Sequence, residues 1–406
     1  MSGDGAAGWQ EPAALVDHLH DVTSAHVAHY GTAPGGVWSA PGRVNLIGEH
    51  VDYNGGPVLP IALEHRALVS LSLRTDRLVR LSSRQDPQVW EGDVDTLEPG
   101  RVHGWAGYAA GVLWALRRGG HELPGVDLLV DGRVPLGAGL SSSASLTCAV
   151  ALAVAELADL VIPGGTHTDT GRRVLAQLCV TAENDFTGAP TGGMDQAVVM
   201  RARPGHAVLL DCSTFDAEHL PVPHDAEILV VDTRSHHSLV DGRYGGRRET
   251  CERAAHLLGV RDLAALDPDH LVQDLATLPD QELRAAVRHV VTEVQRVSDV
   301  VGRLRAGRML EAGPTLLASH ASLRDDFAVS TPELDLVVSS AVAAGAAGAR
   351  MTGGGFGGSA VVLCRPGERR RVGDAVAVAA ARAGYRAPGL FAVSAAGPAA
   401  RVAQLA

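Results

Sequence analysis

The chain has 406 residues, of which 46% are hydrophobic and 20% are charged, so it is long enough for two domains, each with a sizeable core. The formal net charge of −11 is spread along the chain rather than gathered in a tail, which argues against a nucleic-acid-binding surface. The longest apolar run, around residues 144–162, is interrupted by Ser, Thr, Glu156 and Asp159, so it predicts a core helix and not a membrane span.

Lysine is absent, and all 35 basic residues are arginine. This excludes the lysine of a Walker-A loop, the strand lysine of protein kinases and Schiff-base chemistry. Any nucleoside triphosphate would have to be held by another kind of loop. The five cysteines lie far apart without a Cys-x-x-Cys spacing, which predicts reduced, mostly buried thiols in a cytoplasmic protein: Cys148, Cys179, Cys212, Cys251 and Cys364.

The first predicted element is an amphipathic helix over residues 11–30. Its apolar side chains recur at near-helical spacing: Leu15, Val16, Leu19, Val22 and Val27. The N-terminus carries Asp4 and Glu11 and lacks an apolar core, which argues against a signal peptide.

Residues 41–56 are a polar stretch bounded by two turn signals, Pro41-Gly42 and Asn54-Gly55-Gly56. Its side chains make it too polar for a buried strand: Arg43, Asn45, Glu49, His50 and Asp52. Two carboxylates and an imidazole beside a turn suit a small ligand rich in hydroxyls, because carboxylates accept hydrogen bonds in pairs. From composition alone, a solvated loop whose Asp and Asn side chains cap turns explains the stretch equally well.

Strands are predicted next at 66–74 and 78–83, followed by a helix at 104–118. Trp105 and Tyr108 are three residues apart, so they share one face of that helix. The pattern by itself favours ordinary core packing for this pair over a ligand pocket.

A strand at 125–131 leads into a glycine–serine loop and then a long helix at 143–160. Gly137 and Gly139 allow the backbone to approach a ligand closely, and the serine run that follows can cap the helix. Because a helix N-terminus offers free N–H groups and a positive dipole, this loop predicts a phosphate site.

Another helix, at 170–184, ends at Glu183-Asn184, and a loop with Gly192 and Gly193 then presents Asp195. An Asp after a Gly-Gly turn is also a common helix N-cap.

Strand 206–212 closes the first half, and Pro221, Pro223 and His224 mark the crossing to the second. The second half predicts strands at 226–232, 359–364 and 390–395, and helices at 243–258, 283–306, 308–323, 332–345 and 367–384. The pattern alone indicates an α+β protein with two domains.

Three motifs occur in order along the chain: PGRVNLIGEHVDYNGG at 41–56, VPLGAGLSSSAS at 134–145 and TGGGFGG at 352–358. They resemble the motifs of galactokinases, in the GHMP family of small-molecule kinases. The segment from Glu183 to Asp195 is similar to the family's AEN…GMDQ segment, and SHASLRDDF at 319–327 resembles its C-terminal half. The resemblance therefore covers nearly the whole chain.

The resemblance implies both a fold and a reaction. The fold would be α+β with two domains, an N-terminal GHMP kinase domain at 1–220 similar to domain 2 of ribosomal protein S5 and a C-terminal GHMP kinase domain at 221–406 with a ferredoxin-like α/β sandwich. The active site would lie in the cleft between them. The reaction would be phosphorylation of the anomeric hydroxyl of α-D-galactose by ATP with Mg²⁺, giving galactose 1-phosphate and ADP.

It also implies a role for individual residues. Asp195 would be the catalytic base, with Arg43 beside it to keep the carboxylate ionised. The metal ligands would be Ser143 and Glu183. The sugar would be bound by Arg43, Glu49, His50, Asp52, Gly193, Asp195 and Tyr244. The nucleotide would be bound by Ser83, Trp105, Tyr108, Gly137, Ala138, Gly139, Leu140, Ser141, Ser142 and Ser143.

Alternatives stay open within the resemblance. A related kinase could act on N-acetylgalactosamine, arabinose or galacturonate, although Glu49 and Asp52 would repel a carboxylate substrate. A non-catalytic sensor of galactose and ATP is another reading, but sensors lose residues of the serine-rich loop, whereas Ser143, Ala144 and Asp195 are present. A purely structural salt bridge between Arg43 and Asp195 is the plainest alternative to catalysis. We expect a monomer whose partners are galactose and MgATP, with no nucleic acid or membrane.

Two departures from the family pattern fall in regions expected near the sugar. Val51 stands where galactokinases usually have Thr, and the loop Thr191-Gly192-Gly193-Met194 replaces the common Cys-Gly-Ile-Met. Both departures concern selectivity among similar sugars and do not affect the expected phosphoryl transfer. Gly354, where Ala is more usual, is a harmless variation.

Overall fold

The fold is known from a computed structural model, which describes residues 8–12, 14–235 and 242–404. In the first half the elements are β1 (Gly8–Trp9), α1 (Leu15–Tyr30), β2 (Gly36–Asn45), β3 (Pro57–Val58), β4 (Pro60–Leu73), β5 (Leu78–Ser83), β6 (Asp86–Asp93), α2 (Gly104–Arg118), β7 (Val126–Gly132), α3 (Ser142–Leu157), α4 (Asp169–Thr181), α5 (Met194–Arg201), β8 (His206–Asp211) and β9 (Ala217–Pro221). In the second half they are β10 (Glu227–Asp232), α6 (Arg243–Leu258), α7 (Leu271–Thr277), α8 (Gln281–Arg305), α9 (Gly313–Asp325), α10 (Pro332–Ala343), β11 (Gly348–Thr352), β12 (Ser359–Cys364), α11 (Arg369–Arg382), β13 (Gly389–Val393) and β14 (Ala400–Gln404).

Two large sheets organise these elements. One has the strand order β14-β2-β4-β7-β5-β6, and the other has the order β1-β13-β10-β12-β11. A small third sheet has the order β3-β8-β9. The chain ends exchange sheets, because β14 pairs with β2 while β1 pairs with β13. The division into domains at residues 220 and 221 stays a prediction.

Helix α3 lies at the centre of the first core. It packs on β2 and β4 on one side and on α2 and α4 on the other, so every side chain from Ala144 to Ala155 is buried. A helix that is apolar all round is stable only when covered on all faces. No helix in the described part of the chain is both long and apolar enough to cross a bilayer.

Most predicted elements are present, and the predictions at 78–83 and 359–364 match β5 and β12 to the residue. The structure adds strands that sequence reasoning missed, among them β9, β11 and β14, and the short helix α7. All five cysteines are buried free thiols, as expected.

The predicted apolar face of α1 is wrong in part (residue 13, within the predicted helix, lies outside the described residues). Val16 is 71% exposed, while His18, Val22 and His26 are buried. The His26 ring nitrogens pair with the hydroxyls of Ser70 and Ser72 on β4, at 2.9 and 3.1 Å. The helix therefore packs through hydrogen-bonded polar groups as well as through apolar ones, which hydrophobic spacing cannot reveal.

The prediction that 41–56 is too polar for a buried strand is also wrong for its first part. Residues 36–45 form β2, and each of them is buried. Arg43 can lie inside this strand because Asp195 neutralises its charge, as a buried cation requires.

Candidate active site

Four segments meet at the end of β2. They are the loop at 46–56, hereafter the signature loop; the loop at 134–141 before α3; the start of α5; and the glycine-rich loop at 353–358. The last comes close to the loop before α3, because a Cβ on Gly353 would lie 3.3 Å from the carbonyl oxygen of Gly139. A glycine at 353, where φ is +85°, allows the two backbones to touch.

Arg43 and Asp195 form the polar centre of this junction. Arg43 Nε and Nη2 donate to the two carboxylate oxygens of Asp195 at 2.7 and 2.9 Å, and Nη1 donates to the Gly139 carbonyl at 2.7 Å. Burial alone would lower the pKa of Arg43, but the charges of Asp195 and Glu49 outweigh it and raise that pKa above its usual value. The side chain of Asp195 remains 20% exposed, so a ligand can reach it.

The loop before α3 has the backbone predicted for a phosphate site. Gly137 and Gly139 have φ of +73° and +71°, and α3 begins immediately after Ser141. The prediction that the serines cap α3 through their hydroxyls is wrong for Ser141, which occupies the N-cap position without a capping side-chain bond. Its hydroxyl donates to Asp195 Oδ2 instead, so the first N–H groups of α3 are not used by this side chain.

Glu49 is oriented by the glycine-rich third motif. Its Oε1 accepts hydrogen bonds from Thr352 Oγ1 at 2.9 Å and from the N–H of Gly353 at 2.8 Å. The Nη1 of Arg350 lies 3.6 Å from the same oxygen. Because Oε1 is fixed by these groups, the direction of the other carboxylate oxygen is fixed too.

His50 lies in an aromatic cluster and is neutral at pH 7, because burial lowers its pKa to about 3. Its Nδ1 lies 2.8 Å from the Tyr53 hydroxyl, and the rings of Phe327 and Tyr244 lie 4.7 and 5.5 Å from its own. Its Nε2 is buried without a hydrogen-bond partner among the described residues. An orphaned buried nitrogen of this kind suits a ligand hydroxyl.

Asp52 faces the loop that departs from the family pattern. Burial, with the nearby charge of Asp195, raises the pKa of Asp52 to about 7. A Cβ on Gly192 would lie 2.2 Å from Asp52 Oδ2, so only glycine fits there. Gly193 has a φ of +90° and precedes α5, and its N–H donates to Thr191 Oγ1 at 3.2 Å. The side chain of Val51 is fully buried among apolar residues, and the expectation that it lies near the sugar stays a prediction.

Glu183 lies in a π-helical turn, Ala182–Thr187, that follows α4. Its Oε1 accepts hydrogen bonds from Gln196 Nε2 at 2.8 Å and from Thr147 Oγ1 at 3.0 Å. Burial raises the pKa of Glu183 to about 7, against the effect of these bonds and of a bond with the Ser143 hydroxyl. Ser143 and Glu183 are therefore neighbours. Sequence reasoning missed Thr147 and Gln196, although Gln196 belongs to the quoted GMDQ segment.

Three of the predicted nucleotide residues lie outside the loop before α3: Ser83, Trp105 and Tyr108. Trp105 and Tyr108 are half-buried on α2 and pack against the first core, and Glu183 contributes to the raised pKa of Tyr108, after burial. The Oγ of Ser83 accepts a hydrogen bond from the N–H of Gln85 at 3.1 Å. A nucleotide role for these three residues stays a prediction.

The chain matches three family models: the galactokinase galactose-binding signature at residues 24–73, the GHMP kinase N-terminal domain at 107–203 and the GHMP kinase C-terminal domain at 301–381. It is 49% identical over 369 residues to a galactokinase of Streptomyces coelicolor, covering 89% of this chain and 93% of that one. To a galactokinase of Mycobacterium tuberculosis it is 43% identical over 355 residues, covering 86% and 95%.

Solved structures are similar over nearly the whole chain. A Lactococcus lactis galactokinase complexed with galactose superposes with a TM-score of 0.88 at 31% identity, covering 95% of this chain and 100% of that one. The mevalonate kinase of Methanococcus jannaschii superposes with a TM-score of 0.62 at 14% identity, covering 89% and 98%. At that identity the second likeness concerns the fold alone.

Proposed function

The chain belongs to the galactokinase family, and we propose that the junction around Arg43 and Asp195 is the site at which it transfers the γ-phosphoryl group of ATP to the anomeric hydroxyl of α-D-galactose. The products are galactose 1-phosphate and ADP. The observation that carries the proposal is the bidentate salt bridge between Arg43 and Asp195. It stands where the signature loop meets the loop before α3, so a sugar and a phosphate chain could each lie beside it.

Asp195 is the proposed base. The oxygen of the anomeric hydroxyl forms the new bond to the γ-phosphorus as the bond from that phosphorus to the β-phosphate oxygen breaks, and the hydroxyl proton passes to Asp195. Two donors from Arg43 and one from Ser141 hold the carboxylate in place. A loose phosphoryl-transfer transition state needs little activation of the nucleophile, so alignment of the hydroxyl is the larger part of the task.

The sugar is proposed to lie against Glu49, His50, Asp52 and Tyr244. Glu49 and Asp52 supply acceptors for sugar hydroxyls, and the Nε2 of His50 is an orphaned polar atom that a hydroxyl would satisfy. A site of buried acceptors rejects analogues that lack the matching hydroxyl, because the acceptor is then left unpaired. Gly193 is proposed to contribute its backbone.

The phosphates are proposed to lie over residues 137–143, where the backbone turns through two left-handed glycines into α3. Its first N–H groups and its dipole favour negative charge. The main chain around this loop is braced, because Ser359 Oγ donates to the Ala138 carbonyl at 2.6 Å and the Arg43 N–H donates to the Leu140 carbonyl at 3.1 Å. ATP is the co-substrate of the family.

Mg²⁺ is proposed to be held by Glu183 and the Ser143 hydroxyl, where it would neutralise charge on the phosphates. In the described part of the chain, no group of three or more His, Cys, Asp or Glu side chains is arranged to hold a metal. One carboxylate and one hydroxyl still fit this ion, since it keeps several waters and shares phosphate oxygens. The raised pKa of Glu183 reflects a carboxylate that a bound cation would help to ionise.

A coupled assay of ADP release over a panel of sugars tests the function. Galactose should give the highest kcat/KM, above N-acetylgalactosamine, arabinose and glucose. Sugar-dependent ADP release from none of them would favour the galactose sensor, and a higher value for another sugar would reassign the substrate.

A monomeric state and a cytoplasmic location remain parts of the proposal. The five buried free thiols agree with a reducing compartment. Light scattering of the purified protein would give its oligomeric state directly.

A further inference from the structure

Two side chains of helix α8 form hydrogen bonds with the main chain of the signature loop. Glu293 Oε1 accepts a hydrogen bond from the N–H of Gly48 at 3.0 Å, and His289 Nε2 lies 3.1 Å from the carbonyl oxygen of Glu49. His289 and Glu293 are four residues apart, so they project from the same face of α8. Both side chains are 0% exposed, and neither belongs to the three sequence motifs.

The hydrogen bonds fix the state of both side chains. A carbonyl oxygen can only accept, so the Nε2 of His289 must carry a proton. Burial lowers the pKa of His289 to about 4, so the ring is neutral at pH 7. Its Nδ1 lies 3.0 Å from Ser322 Oγ, which also bonds to Asp326 Oδ2 at 3.1 Å. Burial would raise the pKa of Glu293, but the nearby charges of Arg350 and Arg296 lower it, and Arg296 Nε donates to Glu293 Oε2 at 2.6 Å.

The segment at 319–327, whose motif has no part in the proposed chemistry, completes this support. Ser319 Oγ donates to Glu293 Oε1 at 2.8 Å, and Ser322 bonds to His289 as described. The ring of Phe327 packs against the rings of both His50 and His289, at 4.7 and 4.6 Å. One short segment therefore contacts both α8 side chains and the imidazole of the signature loop.

The signature loop needs such support because its backbone is unusual. Gly48 has a φ of +99°, and His50 has a φ of +61°, a conformation that a residue with a side chain adopts only where its surroundings impose it. Helix α8 binds main-chain groups in this same stretch, namely the N–H of Gly48 and the carbonyl of Glu49. The directions of the Glu49 and His50 side chains thus depend on α8.

We propose that His289 and Glu293 are positioning residues for the sugar, which set the directions of Glu49 and His50 through the main chain of the signature loop. The inference rests on the proposed function, because it takes Glu49 and His50 as sugar contacts. It goes beyond that function by assigning galactose affinity to residues that touch neither substrate. Their effect falls on the sugar and not on ATP, since the phosphate loop is held by other side chains, Ser359 and Arg43.

The test compares two substitutions of His289 that differ in reach. The amide nitrogen of Gln can occupy the place of Nε2 and donate to the Glu49 carbonyl, whereas Asn ends near the position of Nδ1 and cannot. We expect His289→Asn to raise the KM for galactose about tenfold, because a buried carbonyl loses its donor. The KM for ATP should stay within about twofold, and His289→Gln should recover most of the loss.

Leu283→Ala is the matched control for a loss of stability alone. Leu283 is buried in the core on the same helix, six residues before His289, or about 9 Å along the axis. It should lower the melting temperature without changing the ratio of the two KM values. If His289→Asn is too unstable to purify, Ser322→Ala removes the hydroxyl beside Nδ1, together with its bond to Asp326 Oδ2, and should raise the KM for galactose alone.

Three outcomes would overturn the inference: a galactose KM within about twofold of wild type in both His289→Asn and Ser322→Ala; equal rises in the two KM values; or no recovery in His289→Gln. Asp195→Asn and Asp52→Ala are measured in parallel to separate the two proposals. If both keep wild-type activity, the proposed site itself is wrong. If they lose activity while the α8 variants do not, only the role of α8 is rejected.

Discussion

Burial and the nearby charge of Asp195 together raise the pKa of Asp52 to about 7. Asp52 is close enough to feel the charge of Asp195, but among the described residues it is Asp195 that has a direct arginine partner, through the two bonds from Arg43. Asp195 is thereby held for proton transfer, while the ionisation of Asp52 depends on pH near neutrality. A sugar hydroxyl donates more strongly to the ionised form of Asp52, which has more acceptor sites than the protonated form.

This relationship predicts an acid limb in galactose use. As pH falls through about 7, Asp52 takes up a proton and loses acceptor capacity, so kcat/KM for galactose should fall. The measurement is a pH profile at saturating MgATP, because a bound cation would keep Glu183 ionised and leave Asp52 to set the limb. A profile that is flat from about pH 5.5 to 8 would contradict the assignment.

The same shift predicts that Asp52→Asn stabilises the protein above neutral pH. Because the folded-state pKa of about 7 exceeds the ordinary 3.8, the folded state binds the proton more tightly, and stability from this group is lost as pH rises between those values. Asn carries no charge to bury, so the variant should melt about 2 °C higher than wild type at about pH 8, with little difference at about pH 4. Thermal unfolding at the two pH values checks this, and an equal shift at both would reject the titration as the cause.

Asp195→Asn should leave galactose binding nearly intact and lower kcat at least ~10²-fold, as expected for loss of a positioned base. The amide keeps the size of the side chain but cannot accept both Arg43 donors or take up the proton. Calorimetric titration with galactose, together with turnover, separates the two effects. A variant with near-normal turnover would leave Arg43 and Asp195 as a structural ion pair only.

Glu183→Gln should raise the Mg²⁺ concentration needed for half-maximal rate and weaken MgATP binding far more than galactose binding. A neutral amide oxygen binds a hard cation less well than a carboxylate does. Thr147→Val serves as the control, because it removes a bond to Glu183 without removing the charge. Identical magnesium titration curves for Glu183→Gln and wild type would remove Glu183 from the metal site.

Val51→Thr should change stability and not sugar selectivity. The side chain of Val51 is fully buried among apolar residues, so a hydroxyl there needs a partner and otherwise costs about 1–3 kcal/mol. The ratio of kcat/KM between galactose and 2-deoxygalactose should stay within about twofold of wild type.

Asp52→Ala should lower kcat/KM for galactose by an amount that corresponds to a loss of at least ~2 kcal/mol of transition-state stabilisation, since it removes a charged acceptor. A larger change in selectivity from Val51→Thr than from Asp52→Ala would show that residue 51 faces the ligand after all.

The sequence predicted the elements with strong periodicity and the residues inside the three motifs. The structure brings several of the predicted residues near one another: Arg43, Glu49, His50, Asp52, Ser143, Glu183, Asp195 and Tyr244. The sequence could not predict the support of the signature loop, because His289 and Glu293 lie far along the chain and outside the segments that resemble the family. The buried strand around Arg43 was misjudged for a similar reason. Its charge is satisfied by a residue 152 positions later, and no local window contains that partner.

The exchange of chain ends between the two large sheets has a consequence for synthesis. Strand β14 borders β2, the strand that carries Arg43, and it spans residues 400–404. During translation the first sheet therefore lacks one edge until residues 400–404 have left the ribosome, and β2 presents unpaired main-chain groups in the meantime. The strand that carries Arg43 is thus among the last parts of this sheet to be closed, so a chain cut shortly before residue 400 would expose it to pairing with other chains.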